Sequence, residues 1–159
     1  GRPVLAVLCA LARDPLFRLT AQHVLALPLG AELVRSEFLQ CMREHVDARL
    51  NDASLDKVVR NAGSSWTQSG HLAGRMRKAR VAVATSFGSV TFAIWLGSLE
   101  GLVGEDLLRS FWMSVFDVPR YALIDAVMQA KQRGLLGASI IADVVQIEIA
   151  PFRQRIAGV

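Results

Sequence analysis

Cysteine is scarce: the 159 residues hold two, Cys9 and Cys41, each inside an apolar helical pattern. No CxxC, no HExxH and no Cys/His cluster accompanies them, so neither a structural zinc site nor a disulfide framework has its components. Two buried thiols in a reducing, cytoplasmic setting are expected. Phosphate loops of the GxxxxGK[ST] or GxGxxG type are also missing. Only three histidines occur. His23 and His45 fall in separate helical patterns with no Ser or Cys in a nucleophile-elbow context. Glu44 and Asp47 flank His45, but carboxylates near a surface histidine are commonplace. Catalytic residues, metal ligands and cofactors are therefore not expected, and the chain reads as a non-enzyme. No secretory leader is expected either, because Arg13 and Asp14 end the first apolar run without a small-residue cleavage site.

Apolar residues make up 52% and charged residues 20%, enough for a packed core. The charge is unevenly placed. Residues 1–80 carry 12 basic and 7 acidic side chains, net +5, whereas 81–159 carry 6 and 7, net −1. Six basic residues and no acidic one lie within Lys57–Arg80. A concentrated positive segment suits a polyanion, either nucleic acid or an anionic membrane surface, and a solvated basic face is the plainer alternative. The uncharged stretch Val81–Leu99 is long enough to test as a membrane span. Thr85, Ser86, Gly88, Ser89, Thr91, Gly97 and Ser98 dilute it, and a strand over Val81–Ala84 before a buried helix capped by Thr85/Ser86 is the better account. No membrane partner is expected.

Helical periodicity runs over Val4–Arg13, breaks at Asp14-Pro15, and resumes over Leu16–Leu27 until Pro28 and Gly30. Ser36 is a cap for a helix to about Val46, with Phe38, Leu39, Met42 and Val46 inward. Asn51-Asp52 caps the next helix, whose stripe is Leu55, Val58, Val59, Ala62 and Trp66, ending between Gly63 and Gly70. A basic stretch and a strand follow. Phe87–Leu102 and Glu105–Phe116 read as helical, with Glu105-Asp106 serving only the positive end of the latter helix. Asp117 caps a helix with Pro119 in its first turn, running through Ala130 to Gly134. Phe111, Trp112, Phe116 and Tyr121 form an aromatic cluster suited to core or a partner-helix interface. Ser139–Ile149 reads as a hairpin turning at Ala142-Asp143, and Pro151–Val159 as a loose tail.

This order is helices, a capped helix and a basic strand, then helices, a capped helix and a hairpin. It predicts a mainly α protein with short β-hairpins. A winged helix-turn-helix-like half, 1–84, packs on a second helical, wing-like half, 85–159.

Opposite the stripe of the helix from Ala53, steps of three and four place Lys57, Arg60, Asn61, Ser64 and Gln68 on one face. Arg, Asn and Gln have bidentate geometry for purine edges, and Lys and Ser contact phosphate readily. Arg60, Asn61 and Gln68 are accordingly assigned to base edges, and Arg75, Arg77, Lys78 and Arg80 to phosphates beside them. The run from Ser64 to His71 has two readings. Either Ser64, Ser65 and Thr67 approach phosphates while Gln68 and His71 reach further, or the hydroxyls only finish the helix around a core Trp66. Trp66 itself reads as core. Double-stranded DNA is the expected partner. An RNA partner fits less well, because aromatic platforms are missing here. A scaffold whose basic face meets an acidic protein is the alternative.

The layout resembles the small BrxA-like accessory proteins of bacterial BREX phage-defence islands. The resemblance lies in Ala53–Arg80, a capped helix leading to a basic strand. It lies also in Phe111–Ile149, where an aromatic helix precedes Asp117-Val118-Pro119-Arg120, then Gln129-Ala130-Lys131-Gln132-Arg133-Gly134-Leu135-Leu136 and a Val/Ile-rich hairpin. The resemblance implies a winged-helix protein that binds double-stranded DNA beside other defence-system proteins, a methyltransferase and an ATPase among them. It carries over no site residue.

Overall fold

The computed structural model describes residues 1–46, 50–142 and 144–158. It is mainly helical, 62% helix, with two small antiparallel hairpins. Asp47 and Asp143, to which the sequence assigned a place beside His45 and in a turn, lie outside the described residues, as does Val159. The chain divides into two compact units, Pro3–Val83 and Ala84–Val159, the latter joined by Gly1–Arg2.

In the first unit, helix α1 (Arg2–Arg13) turns Val4, Val7, Leu8 and Leu11 inward. Cys9 lies off that stripe and is exposed, contrary to the expectation of a buried thiol. Asp14 stops α1 and starts α2 (Pro15–Ala26): its carboxylate accepts from the amides of Leu16 (2.9 Å) and Phe17 (3.0 Å), with Pro15 in the first turn. Helix α3 (Arg35–His45) buries Phe38 and Met42. It begins at Val34 without a side-chain cap, so Ser36 does not serve as one. Helix α4 (Asp52–Gln68) is capped by Asn51, whose side chain accepts from Ser54 N at 2.9 Å. Leu55, Val59, Ala62, Gly63 and Trp66 face its core.

Trp66 is fully buried, stacked on Phe17 at 5.3 Å, and its indole N–H donates to Thr20 Oγ1 at 2.9 Å. Strands β1 (Leu72–Ala73) and β2 (Ala79–Arg80) form the first hairpin. The strand expected at Val81–Ala84 is displaced to Ala79–Arg80, which pairs with Leu72–Ala73, and past it Val81 N donates to His71 O at 2.9 Å. A sequence-distant stretch completes the other edge of β2. Gly30 N donates to Arg80 O (2.8 Å), Arg80 N to Ala31 O (2.8 Å) and Leu33 N to Lys78 O (2.7 Å), with Glu32 bridged to Ala79.

In the second unit, Ser86 and Ser89 form a reciprocal cap for α5 (Phe87–Leu99), which is buried almost all round. At 13 residues it is too short to span a bilayer. Among the described residues no helix is long and apolar enough to cross a membrane. The helix expected over Glu105–Phe116 is instead a 3-10 turn (Gly104–Arg109) and a short α6 (Phe111–Ser114), parted by an extended Ser110. Helix α7 (Arg120–Gln132) starts after Pro119, so Asp117 is not its cap. Strands β3 (Gly137–Ile141) and β4 (Val144–Glu148) pair from Gly137↔Glu148 to Ile141↔Val144. The tail expected to be loose is helix α8 (Ala150–Ala157), with Pro151 in its first turn.

Glu105 does more than favour a helix end. Its carboxylate accepts from Arg120 Nη2 (2.6 Å) and Nε (3.1 Å), and from Val145 N (3.2 Å), tying the 3-10 turn to α7 and β4. The Arg120 bonds first, then the Val145 amide, hold it below the usual carboxylate range. Trp112 and Phe116 of the aromatic cluster are buried, but Tyr121 is 70% exposed on the outer side of α7.

Candidate nucleic-acid interface

Helix α4 presents its polar face because its apolar stripe repeats at 55, 59, 62 and 66 and leaves the intervening positions outward. Lys57, Arg60, Asn61, Ser64, Ser65 and Gln68 are exposed. Arg60 pairs with Asp56 one turn back (2.8 Å), and Asp56 also holds Arg35 of α3. Hydrogen bonds from Arg35 and then Arg60 keep the Asp56 carboxyl below its ordinary range. A guanidinium has five N–H donors, so each arginine keeps donors beyond those given to Asp56. The Ser64 hydroxyl donates back to Arg60 O at 3.1 Å, as hydroxyls on helices often do.

The hairpin loop 74–78 is folded by Gly74, whose φ of +110° belongs to glycine; a Cβ there would stand 1.9 Å from Arg77 O. Arg75 and Arg77 project from this loop into solvent. Arg77 Nε lies 3.9 Å from Glu32 Oε1, a long exposed pair worth little. Lys78 and Thr67 are half-buried: Lys78 Nζ donates to Thr67 Oγ1 at 2.9 Å, and that hydroxyl donates to Gly63 O at 2.7 Å. The bond connects the hairpin loop to the last turns of α4.

Two residues leave the expected interface. His71 is fully buried, edge-on to Trp66 at 4.9 Å with Nδ1 2.8 Å from Ser69 Oγ, so it belongs to the core. Arg80 is 2% exposed, and its Nη1 donates to His71 O (3.2 Å) and Val81 O (2.6 Å). It holds the base of the hairpin and does not reach outward for phosphate.

Sequence reasoning missed the stretch 30–33 against β2 and the exposed Met76 at the loop tip, 93% accessible. Pro28 and Gly30 signalled a turn, but a backbone-only pairing leaves no side-chain pattern to read. Among the described residues, no group of three His, Cys, Asp or Glu side chains is placed to hold a metal. Comparison with family models, with curated proteins and with solved structures finds no match to this chain.

Proposed function

We propose that the first unit is a winged-helix module that binds double-stranded DNA, with α4 as the helix entering the major groove and the β1–β2 loop as the wing. The observation that carries this reading is the order α2, paired stretch 30–33, α3, α4, β1, β2, in which the stretch hydrogen-bonds to β2. That order suits a helix-turn-helix followed by a hairpin, an arrangement that would set one helix and one loop against the same duplex. Its outward surface is chemically suited to the task. Arg60, Asn61 and Gln68 bring bidentate groups on α4, while Lys57, Arg75 and Arg77 bring exposed positive charge. The activity is non-catalytic, that of an accessory or regulatory protein. The resemblance of the sequence layout to BrxA-like proteins favours a role in phage defence.

Titration with random-sequence duplex DNA over a range of salt concentrations tests the reading. A steep loss of affinity with salt is the expected result. No measurable binding at low salt overturns it and favours a scaffold whose basic face meets an acidic protein.

A further inference from the structure

Between α3, α4 and the β1–β2 loop lies an open groove of about 340 Å³, a size found among small-molecule sites. Three elements supply its cations: Arg35 from α3, Arg60 from α4, and Arg75 and Lys78 from the loop. Behind them the lining is apolar, formed by Leu33 with the buried Val59 and Phe38 beneath it. Met76 stands at the rim, almost wholly in water.

The cations are held in place. Asp56 bonds Arg35 and Arg60 together, and Thr67 fixes the ammonium of Lys78. Two guanidiniums sharing one carboxylate leave a net positive charge, and Arg75 and Lys78 add to it. A duplex backbone needs cations on a surface that follows it; it does not need an apolar recess behind them. A phosphate joined to a planar, weakly polar ring fits both halves of the groove. Among the described residues of the lining no aromatic is exposed, so the ring rests on aliphatic side chains and the Met76 thioether instead of stacking. A methionine at the rim suits such a ring, since its flexible thioether adapts to a flat aromatic face.

We propose that this groove binds a nucleoside phosphate, specifically an unstacked nucleotide at a strand end. The base enters the apolar recess beside Met76, and the phosphate meets the cations of α3, α4 and the loop. The inference rests on the nucleic-acid reading of this face and adds to it a preference for duplexes bearing a single-stranded extension.

Fluorescence anisotropy of the full chain decides the matter, with a labelled blunt duplex and the same duplex carrying a four-nucleotide extension. The extension is expected to tighten binding about twofold to tenfold, the range of a thioether–ring contact. Met76→Ala should abolish that gain, so that the variant binds blunt and extended duplexes alike, and its exposure makes the substitution harmless to folding, which a thermal melt checks. Ser64→Phe, which fills the groove from α4, should abolish the gain as well. A free mononucleotide that competes away the gain supports the same chemistry with a free nucleotide as its source. Equal binding of blunt and extended duplexes, with no competition by mononucleotide, overturns the groove proposal and leaves duplex binding standing. Failure to bind either duplex overturns the nucleic-acid reading itself.

Discussion

Lys78 Nζ donates to Thr67 Oγ1 at 2.9 Å, so one lysine of the basic loop is committed to α4. Its neighbours Arg75 and Arg77 are exposed. The loop thus divides into a residue that holds the hairpin against the helix and residues that reach outward. Charge counting alone treats them as equivalent. The hydrogen bond separates their roles, and a substitution series can expose the difference.

The paired substitution Arg75→Ala/Arg77→Ala is expected to weaken binding to every duplex. The slope of log affinity against log salt should fall in magnitude by about 1.8, one increment for each lost phosphate contact. Asn61→Ala or Gln68→Ala should leave the slope where it was. Each should cost about 1–3 kcal/mol on a preferred sequence. An unaltered slope in the double variant would show that the loop does not touch the backbone.

Arg80 should behave as a core residue. Arg80→Ala removes donors from the carbonyls of His71 and Val81 and leaves a void, at a cost of about 2–4 kcal/mol in urea unfolding. The folded fraction should keep the wild-type salt slope. A stable Arg80→Ala protein with a slope reduced by about one unit would place the guanidinium on the phosphates after all.

The contrast between Arg77 and Arg80 shows where the sequence was legible. Caps and stripes are local: Asp14-Pro15, Asn51, and the apolar positions 55, 59, 62 and 66 are decided within a few residues. Those features placed α2 and α4 and the outward face of α4. The burial of Arg80 depends on the His71 carbonyl, presented by the turn after α4, and nothing in the run Arg75–Arg80 distinguishes it from Arg77. His71 was misplaced for the same reason: its partners are Trp66 and Ser69, brought round by the turn at Gly70, φ +89°. Thr20 gave no sign of receiving the Trp66 indole, a contact 46 residues distant in sequence. In the second unit, Glu105 looked like a helix-end carboxylate until Arg120 and Val145 were brought to it.

Glu105→Gln should therefore destabilise the protein at neutral pH by about 1–3 kcal/mol, through loss of charge-assisted bonds to Arg120. Because the folded carboxyl titrates below its unfolded value, its contribution is complete above about pH 4.3 and is lost as pH falls through the folded value. Melting temperatures of wild type and variant should converge as the pH falls below about 4.3. A gap that persists undiminished in acid would mean that the ionised form of Glu105 is not what joins the 3-10 turn to α7.

His23 supplies the opposite end of the pH range. Its ring lies nearly parallel to Phe38, centroids 5.1 Å apart and planes 9° apart, and Nε2 is buried with no hydrogen-bond partner among the described residues. Burial pushes the imidazole below its ordinary value, with the Glu37 carboxylate of α3 opposing in part. The folded state therefore favours the neutral ring. Stability from this group is complete above about pH 6.5 and declines as pH falls towards the folded value, where the buried ring must take up a proton. His23→Phe keeps an aromatic ring against Phe38 and cannot titrate. It should cost less than about 1.5 kcal/mol at pH 8 and flatten the decline in melting temperature between pH 7.5 and 5.5. If the variant and the wild type lose stability in parallel over that interval, the proton is taken up elsewhere and the α2–α3 contact is not pH-sensitive.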